Sequence, residues 1–270
     1  MLPTFESIIE SAPTEKLKES VVVHRLDDHE AQRVIDRKID IKKLVEKLNF
    51  PTWRYDTTLL KTIARLVLEL KESIAQYDTI LSDDASGRLI SLILKKVADS
   101  APQRENKPPI KTYFLAGGRH AFYGRKQPLA RFLQSKRNEF GKALLVTEFI
   151  DTGTSLSKLS GLLDEFDIDH DIAAVSARED YINKLDDAAD EREHTHDKLI
   201  KIKGRLHYGA IDSSGAVLHD NRMSGVKKSR TLSADNQKII KDDRVAQKTI
   251  NESREDISKI ASEFTKLLMD

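Results

Sequence analysis

The sequence predicts an α/β fold, a parallel sheet of about five strands flanked by helices, with helical additions at both ends. Three observations predict it. From about residue 77, short apolar runs alternate with segments of helical period, the grammar of strand–helix–strand units. Before that point the apolar residues keep a 3–4 spacing. The tail from about Ala234 returns to the same helical spacing. The expected organisation is an N-terminal helical region over 1–76, an α/β core over 77–233 and a C-terminal helix over 234–270.

The elements follow in chain order. Val21–Val23 reads equally as a short strand or an arm. Over Asp40–Leu48, Ile41, Leu44, Val45 and Leu48 share one helical face, and Asn49 with Pro51 stops the helix. Over Thr57–Ala75, Leu59, Leu60, Ile63, Ala64, Leu66, Val67, Leu70 and Ile74 form a wide apolar stripe, which predicts a largely buried helix. Trp53 and Tyr55 read as a structural anchor. Asp78–Ser82 is the first core strand, residues 83–88 (DDASGR) a loop and Leu89–Val97 a helix. Thr112–Ala116 is the second strand, and the basic stretch 119–142 after it holds a helical RFLQSKRNEF segment. Ala143–Thr147 is the third strand, EFIDTGTS a loop, and a helix runs on to about Phe166. Asp171–Ser176 is the fourth strand, and Arg205–Ile211 and Ala216–His219 are later ones. In the tail, Ile250, Ile257, Ile260, Ala261, Phe264, Leu267 and Leu268 give an apolar face. The N-terminal helices are its expected cover, and an oligomer or protein partner is the alternative.

Composition narrows the function. The 270 residues carry 45 Lys plus Arg and 44 Asp plus Glu, a formal charge of +1, so net charge does not indicate nucleic acid or an anionic membrane as partner. Charged residues make up 33%, above the roughly 25% of typical globular chains, which predicts a strongly solvated exterior. The absence of cysteine removes disulfides, thiolate metal sites and cysteine nucleophiles. No apolar run is long enough for a membrane span and the first twenty residues lack a signal-peptide pattern, so a cytoplasmic protein is expected. The P-loop, dinucleotide, serine-hydrolase and zincin motifs are all missing. His194 and His196 read as a charged turn, and the basic string Val226–Arg230 as a solvated loop.

One segment carries chemistry. In Ala143–Ser155 an apolar strand leads through Glu148 to Asp151-Thr152-Gly153-Thr154-Ser155, which opens an amphipathic helix. Small hydroxyl residues around one glycine expose successive backbone N–H groups at a helix N-terminus, and the helix dipole adds to them. That combination suits a phosphate monoester. An acid at the strand end is placed to hold sugar hydroxyls beside the phosphate.

The segment resembles the signature of the type I phosphoribosyltransferases: apolar residues, an acidic pair, two apolar residues, then a Thr-Gly-Thr/Ser loop. Leu144 to Val146, Thr147-Glu148, Phe149-Ile150 and Asp151 to Ser155 carry the match, which is closest to the hypoxanthine–guanine branch. Thr147 stands where the family has the first acid. The resemblance implies that Thr152, Gly153, Thr154 and Ser155, with Asp151, wrap the 5-phosphate of phosphoribosyl pyrophosphate. It further implies that Glu148 contacts the ribose hydroxyls and that Asp151 is the proton acceptor. By order and spacing, Ala85, Ser86, Gly87 and Arg88 fit the family's pyrophosphate loop, and Arg125 and Lys126 fall where it has a mobile loop. Magnesium would arrive bound to the pyrophosphate. The implied activity is transfer of the sugar phosphate to or from a nucleobase or related acceptor. The alternative is a non-catalytic, nucleotide-sensing regulator or effector, of the kind found in defence settings, that uses the same pocket and a helical partner surface.

Overall fold

A computed structural model describes residues 22–24, 26–50, 53, 56–83, 87–115, 126–190, 204–212 and 244–269. The sheet has six strands, β1 (Val22–His24), β2 (Thr79–Asp83), β3 (Lys111–Leu115), β4 (Ala143–Ile150), β5 (His170–Ala177) and β6 (Arg205–Ile211). Their spatial order is β1-β6-β5-β4-β2-β3, and every neighbouring pair is parallel. The helices are α1 (Asp28–Lys38), α2 (Ile41–Glu46), α3 (Thr57–Glu69), α4 (Arg88–Asp99), α5 (Lys126–Phe140), α6 (Thr154–Glu165), α7 (Glu179–Asp190) and α8 (Arg244–Thr265). The expected α/β architecture is therefore present, and Val22–His24 is a strand rather than an arm. The expected strand Ala216–His219, the turn with His194 and His196, the string Val226–Arg230 and Tyr55 lie outside the described residues.

Alternation along the strands sorts side chains to two faces. Leu144 and Val146 of β4 join Ala173 and Val175 of β5 in a core with α1 to α4 and α8. Ala143 and Leu145, with Ile172 and Ala174, form the second core with α5, α6 and α7. Because helices cover both faces, β4 and β5 read as almost unbroken apolar runs.

The two terminal additions are part of the first core. The apolar face of α8 packs on α4 and α2, and Ile250, Ile257, Ile260, Phe264, Leu267 and Leu268 are all buried within the chain. The intramolecular cover is thus the one observed, and those residues are not left for a partner. A buried carboxylate fixes the contact: Asp256 of α8 is 0% exposed and accepts the N–H groups of Asn49 (2.9 Å) and Phe50 (2.7 Å) after α2. Trp53 is fully buried, as an anchor should be. Gly209 of β6 lets α3 lie close, since a Cβ there would meet the carbonyl of Val175 at 2.8 Å and that of Thr62 nearer still.

Two boundaries differ from the sequence reading. The apolar stripe expected as one helix to Ala75 breaks at Glu69, and a turn leads to a 3-10 segment at Ile74–Gln76. Leu70 and Ile74 remain buried across the break because the turn packs on the same core. β4 runs to Ile150, three residues beyond Thr147, since its pairing with β5 continues through Phe149–Ser176 and Ile150–Ala177. Glu148 is therefore a residue within a strand rather than of the loop. No helix among the described residues is long and apolar enough to cross a membrane.

Candidate functional site

The strand order places the site. From β2 the chain steps to β3 on one side, then returns past β2 to β4, β5 and β6 on the other. A crevice opens at such a reversal, outside the carboxyl ends of the two strands between which it occurs. Here these are β2 and β4. The helix after β2, α4, belongs to the first core, and the helix after β4, α6, belongs to the second. Their N-termini therefore flank the crevice from opposite faces of the sheet.

Both helices begin on glycine, and neither has a side-chain cap. The contrast with the scaffold helices is sharp. At the N-termini of α1, α2 and α3, the carboxylates of Asp27, Asp40 and Asp56 accept backbone N–H groups of the first turn. At α6, Gly153 takes the left-handed conformation, φ 67°. Thr152 does not cap the helix: its hydroxyl lies 3.0 Å from that of Thr154. A Cβ on Gly153 would fall on the ring of Tyr181, 2.8 Å from Cζ, so both backbone conformation and packing demand glycine here. At α4, a Cβ on Gly87 would lie 2.5 Å from the carbonyl oxygen of Val146 and 2.8 Å from that of Asp83. The start of α4 is pressed directly onto the tips of β4 and β2.

Carboxylates line the strand ends. Thr147 is buried, and its hydroxyl donates to Oδ2 of Asp83 at 3.4 Å. Glu148, the expected ribose clamp, is only 2% exposed. Asp151, just past β4, is 2.7 Å from the guanidinium of Arg178, which follows β5. The backbone of Arg178 is fixed by its N–H to the carbonyl of Ile150 at 2.9 Å. Tyr181, at the start of α7, lies under Gly153 and is 3% exposed, and burial raises the pKa of its phenol.

Of the residues expected from sequence, Glu148, Asp151, Thr152, Gly153, Thr154 and Ser155 are contiguous at the end of β4 and the start of α6. Gly87 and Arg88 lie across the crevice at the start of α4. Arg88 is turned to β3, with its guanidinium carbon 4.0 Å from the ring centroid of Phe114. Ala85, Ser86 and Arg125 lie outside the described residues, as does the side chain of Lys126. Sequence reading missed Arg178 and Tyr181, whose only signal was that they follow a predicted strand end. It placed Asp83 in a loop, whereas Asp83 is the last residue of β2, where Thr147 reaches it.

The donors suit magnesium in one limited way. Asp83 and Thr147 are hard oxygen ligands at the crevice, of the type that complete an ion already bound to substrate phosphates. No cluster of three or more His, Cys, Asp or Glu able to hold a metal alone occurs among the described residues. No family model, curated protein or solved structure matches the chain.

Proposed function

We propose that the crevice between β2 and β4 binds phosphoribosyl pyrophosphate with magnesium, and that the protein is a phosphoribosyltransferase-like enzyme with the type I fold. One observation carries the reading: two uncapped, glycine-led helix N-termini face the topological switch point of a parallel sheet, with acidic residues at the tips of the same strands. N–H groups that no N-cap side chain takes up, together with the helix dipoles, favour a doubly anionic phosphate at α6 and a pyrophosphate at α4.

The reaction asks little covalent work of the protein. Loss of pyrophosphate leaves an oxocarbenium-like sugar, so catalysis consists of holding both anionic ends and excluding water. In this reading Thr152 to Ser155 hold the 5-phosphate, and Glu148 takes the ribose hydroxyls once the ligand opens its surroundings. Asp151 accepts the proton of the incoming base. Gly87, with Ala85 and Ser86, receives the pyrophosphate. Magnesium screens the leaving group, and Asp83 with Thr147 would be its protein-side ligands. Asp83 thereby supplies from β2 the carboxylate that Thr147 lacks on β4.

A second reading is supported by the pairing of Asp151 with Arg178 and the burial of Glu148. A pocket whose proton acceptor and ribose clamp are both engaged would sense a phosphoribosyl nucleotide without turning it over. Calorimetric titration of magnesium phosphoribosyl pyrophosphate into wild type and Glu148→Gln tests the pocket. Binding that weakens in the variant supports it, and no binding by folded wild type removes both readings. Turnover with a panel of nucleobases then separates the enzyme from the sensor.

A further inference from the structure

We propose that the loop 151–155 closes on a phosphomonoester through two residues outside the motif, Tyr181 from beneath and Arg178 from outside, and that the bound phosphate draws Arg178 off Asp151. The proposal rests on the phosphoribosyl reading for the phosphate at this loop, the identity of the sugar and the role of Asp151.

Tyr181 supplies the first half of the argument. Its hydroxyl is buried and makes no hydrogen bond among the described residues, and the phenol end of the ring abuts Gly153. A buried O–H without an acceptor carries the full desolvation cost of an unmade bond. Burial also keeps this phenol protonated, so its O–H proton needs an acceptor, which a phosphate oxygen or a loop carbonyl turned by phosphate provides.

Arg178 supplies the second. Its side chain is 45% exposed and that of Asp151 40%, so Arg178 is open to solvent although the Oδ1 atom it meets is itself covered. A phosphate dianion accepts two parallel N–H bonds from a guanidinium and outcompetes a single exposed carboxylate. The backbone of Arg178 is tied to Ile150, one residue from Asp151. The side chain can therefore pivot from Asp151 toward Thr152–Ser155 without disturbing the sheet. Seating the phosphate then takes the Arg178 ion pair off the Asp151 carboxylate, so this restraint on the proton acceptor is lifted only when the sugar phosphate is in place.

The test uses the full chain and ribose 5-phosphate, titrated by calorimetry into wild type, Arg178→Gln, Asp151→Asn, the double variant and Tyr181→Phe. Arg178→Gln is expected to weaken binding about tenfold, the scale of a charge-assisted pair. Asp151→Asn is expected to tighten it about threefold, and that gain should vanish in the double variant because it acts through Arg178. Tyr181→Phe is expected to weaken binding about threefold without lowering thermal stability. Equal affinity of wild type and Arg178→Gln, or a gain from Asp151→Asn that persists without Arg178, overturns the exchange. Unchanged binding by Tyr181→Phe overturns its part in the site. Should Arg178→Gln fail to fold, Arg178→Lys keeps the charge without the fork, and unchanged affinity there counts equally against the proposal. In each of these cases wild type still binds, and the phosphoribosyl reading stands. Failure of folded wild type to bind both ribose 5-phosphate and phosphoribosyl pyrophosphate overturns the reading and the proposal together.

Discussion

The hydroxyl of Thr147 within β4 donates to Oδ2 of Asp83 at the end of β2 across 3.4 Å, joining the two strands between which the chain reverses direction. In the motif, Thr147 looks like the loss of an acid. In three dimensions a carboxylate stands within one hydrogen bond of it. If Asp83 serves as a magnesium ligand, Asp83→Asn should weaken magnesium-dependent binding of phosphoribosyl pyrophosphate about tenfold, with a smaller effect when magnesium is omitted. Equal loss with and without the metal would assign Asp83 a structural role only.

The glycines at the crevice should resist replacement. Gly153→Ala forces a side chain into the left-handed region and onto the Tyr181 ring, which should cost about 2–3 kcal/mol in urea unfolding. Gly87→Ala should show a comparable loss through contact with two strand carbonyls. Gly161, in the middle of α6 with nothing near its missing Cβ, is the control. Gly161→Ala should stabilise the protein by about 0.5–1 kcal/mol.

The seam between α8 and the N-terminal helices depends on a buried charge. Asp256 accepts the N–H groups of Asn49 and Phe50, and Lys259 lies 3.6 Å away. Asp256→Ala leaves those N–H groups without an acceptor and should lower the unfolding free energy by about 2–4 kcal/mol. A change below about 0.5 kcal/mol, within the range of an ordinary surface substitution, would show that the packing of α8 suffices alone.

Acid stability should depend on Asp171, at the amino-terminal end of β5 and so at the opposite end of the strands from the crevice. Burial raises its pKa, but the N–H of Arg205, the Tyr77 hydroxyl and Lys142 outweigh that and hold the carboxyl below its ordinary 3.8. Its contribution is therefore complete above pH 3.8 and is lost as pH falls from there through the lowered folded value. Asp171→Asn should reduce stability at neutral pH and flatten the decline below pH 3.8, as followed by urea midpoints across a pH series.

Much of the architecture was legible because it is written in period. The apolar stripe of Leu59 to Val67 and the run Leu144–Val146 each announce their element, and β2, β3 and β6 fall within a residue of the expected bounds. The loop at Gly153 was legible because the glycine and its hydroxyl neighbours follow a strand directly. The end of β4 was not, because Glu148 is polar. Only the continued ladder to Ser176 and Ala177 carries the strand past it.

The sequence by itself determined that this is an α/β protein with a glycine-centred loop of small hydroxyl residues after its third core strand, since helix and strand period and turn chemistry are local properties of the chain. The tertiary structure alone decided what stands around that loop. Strand order brings Asp83 to Thr147, sheet register brings Arg178 to Asp151, and the packing of α7 puts Tyr181 beneath Gly153. These partners are 64, 27 and 28 residues apart along the chain, distances over which no local pattern operates. Hydrogen bonding, ion pairing and close packing act only between groups that the fold has already made neighbours.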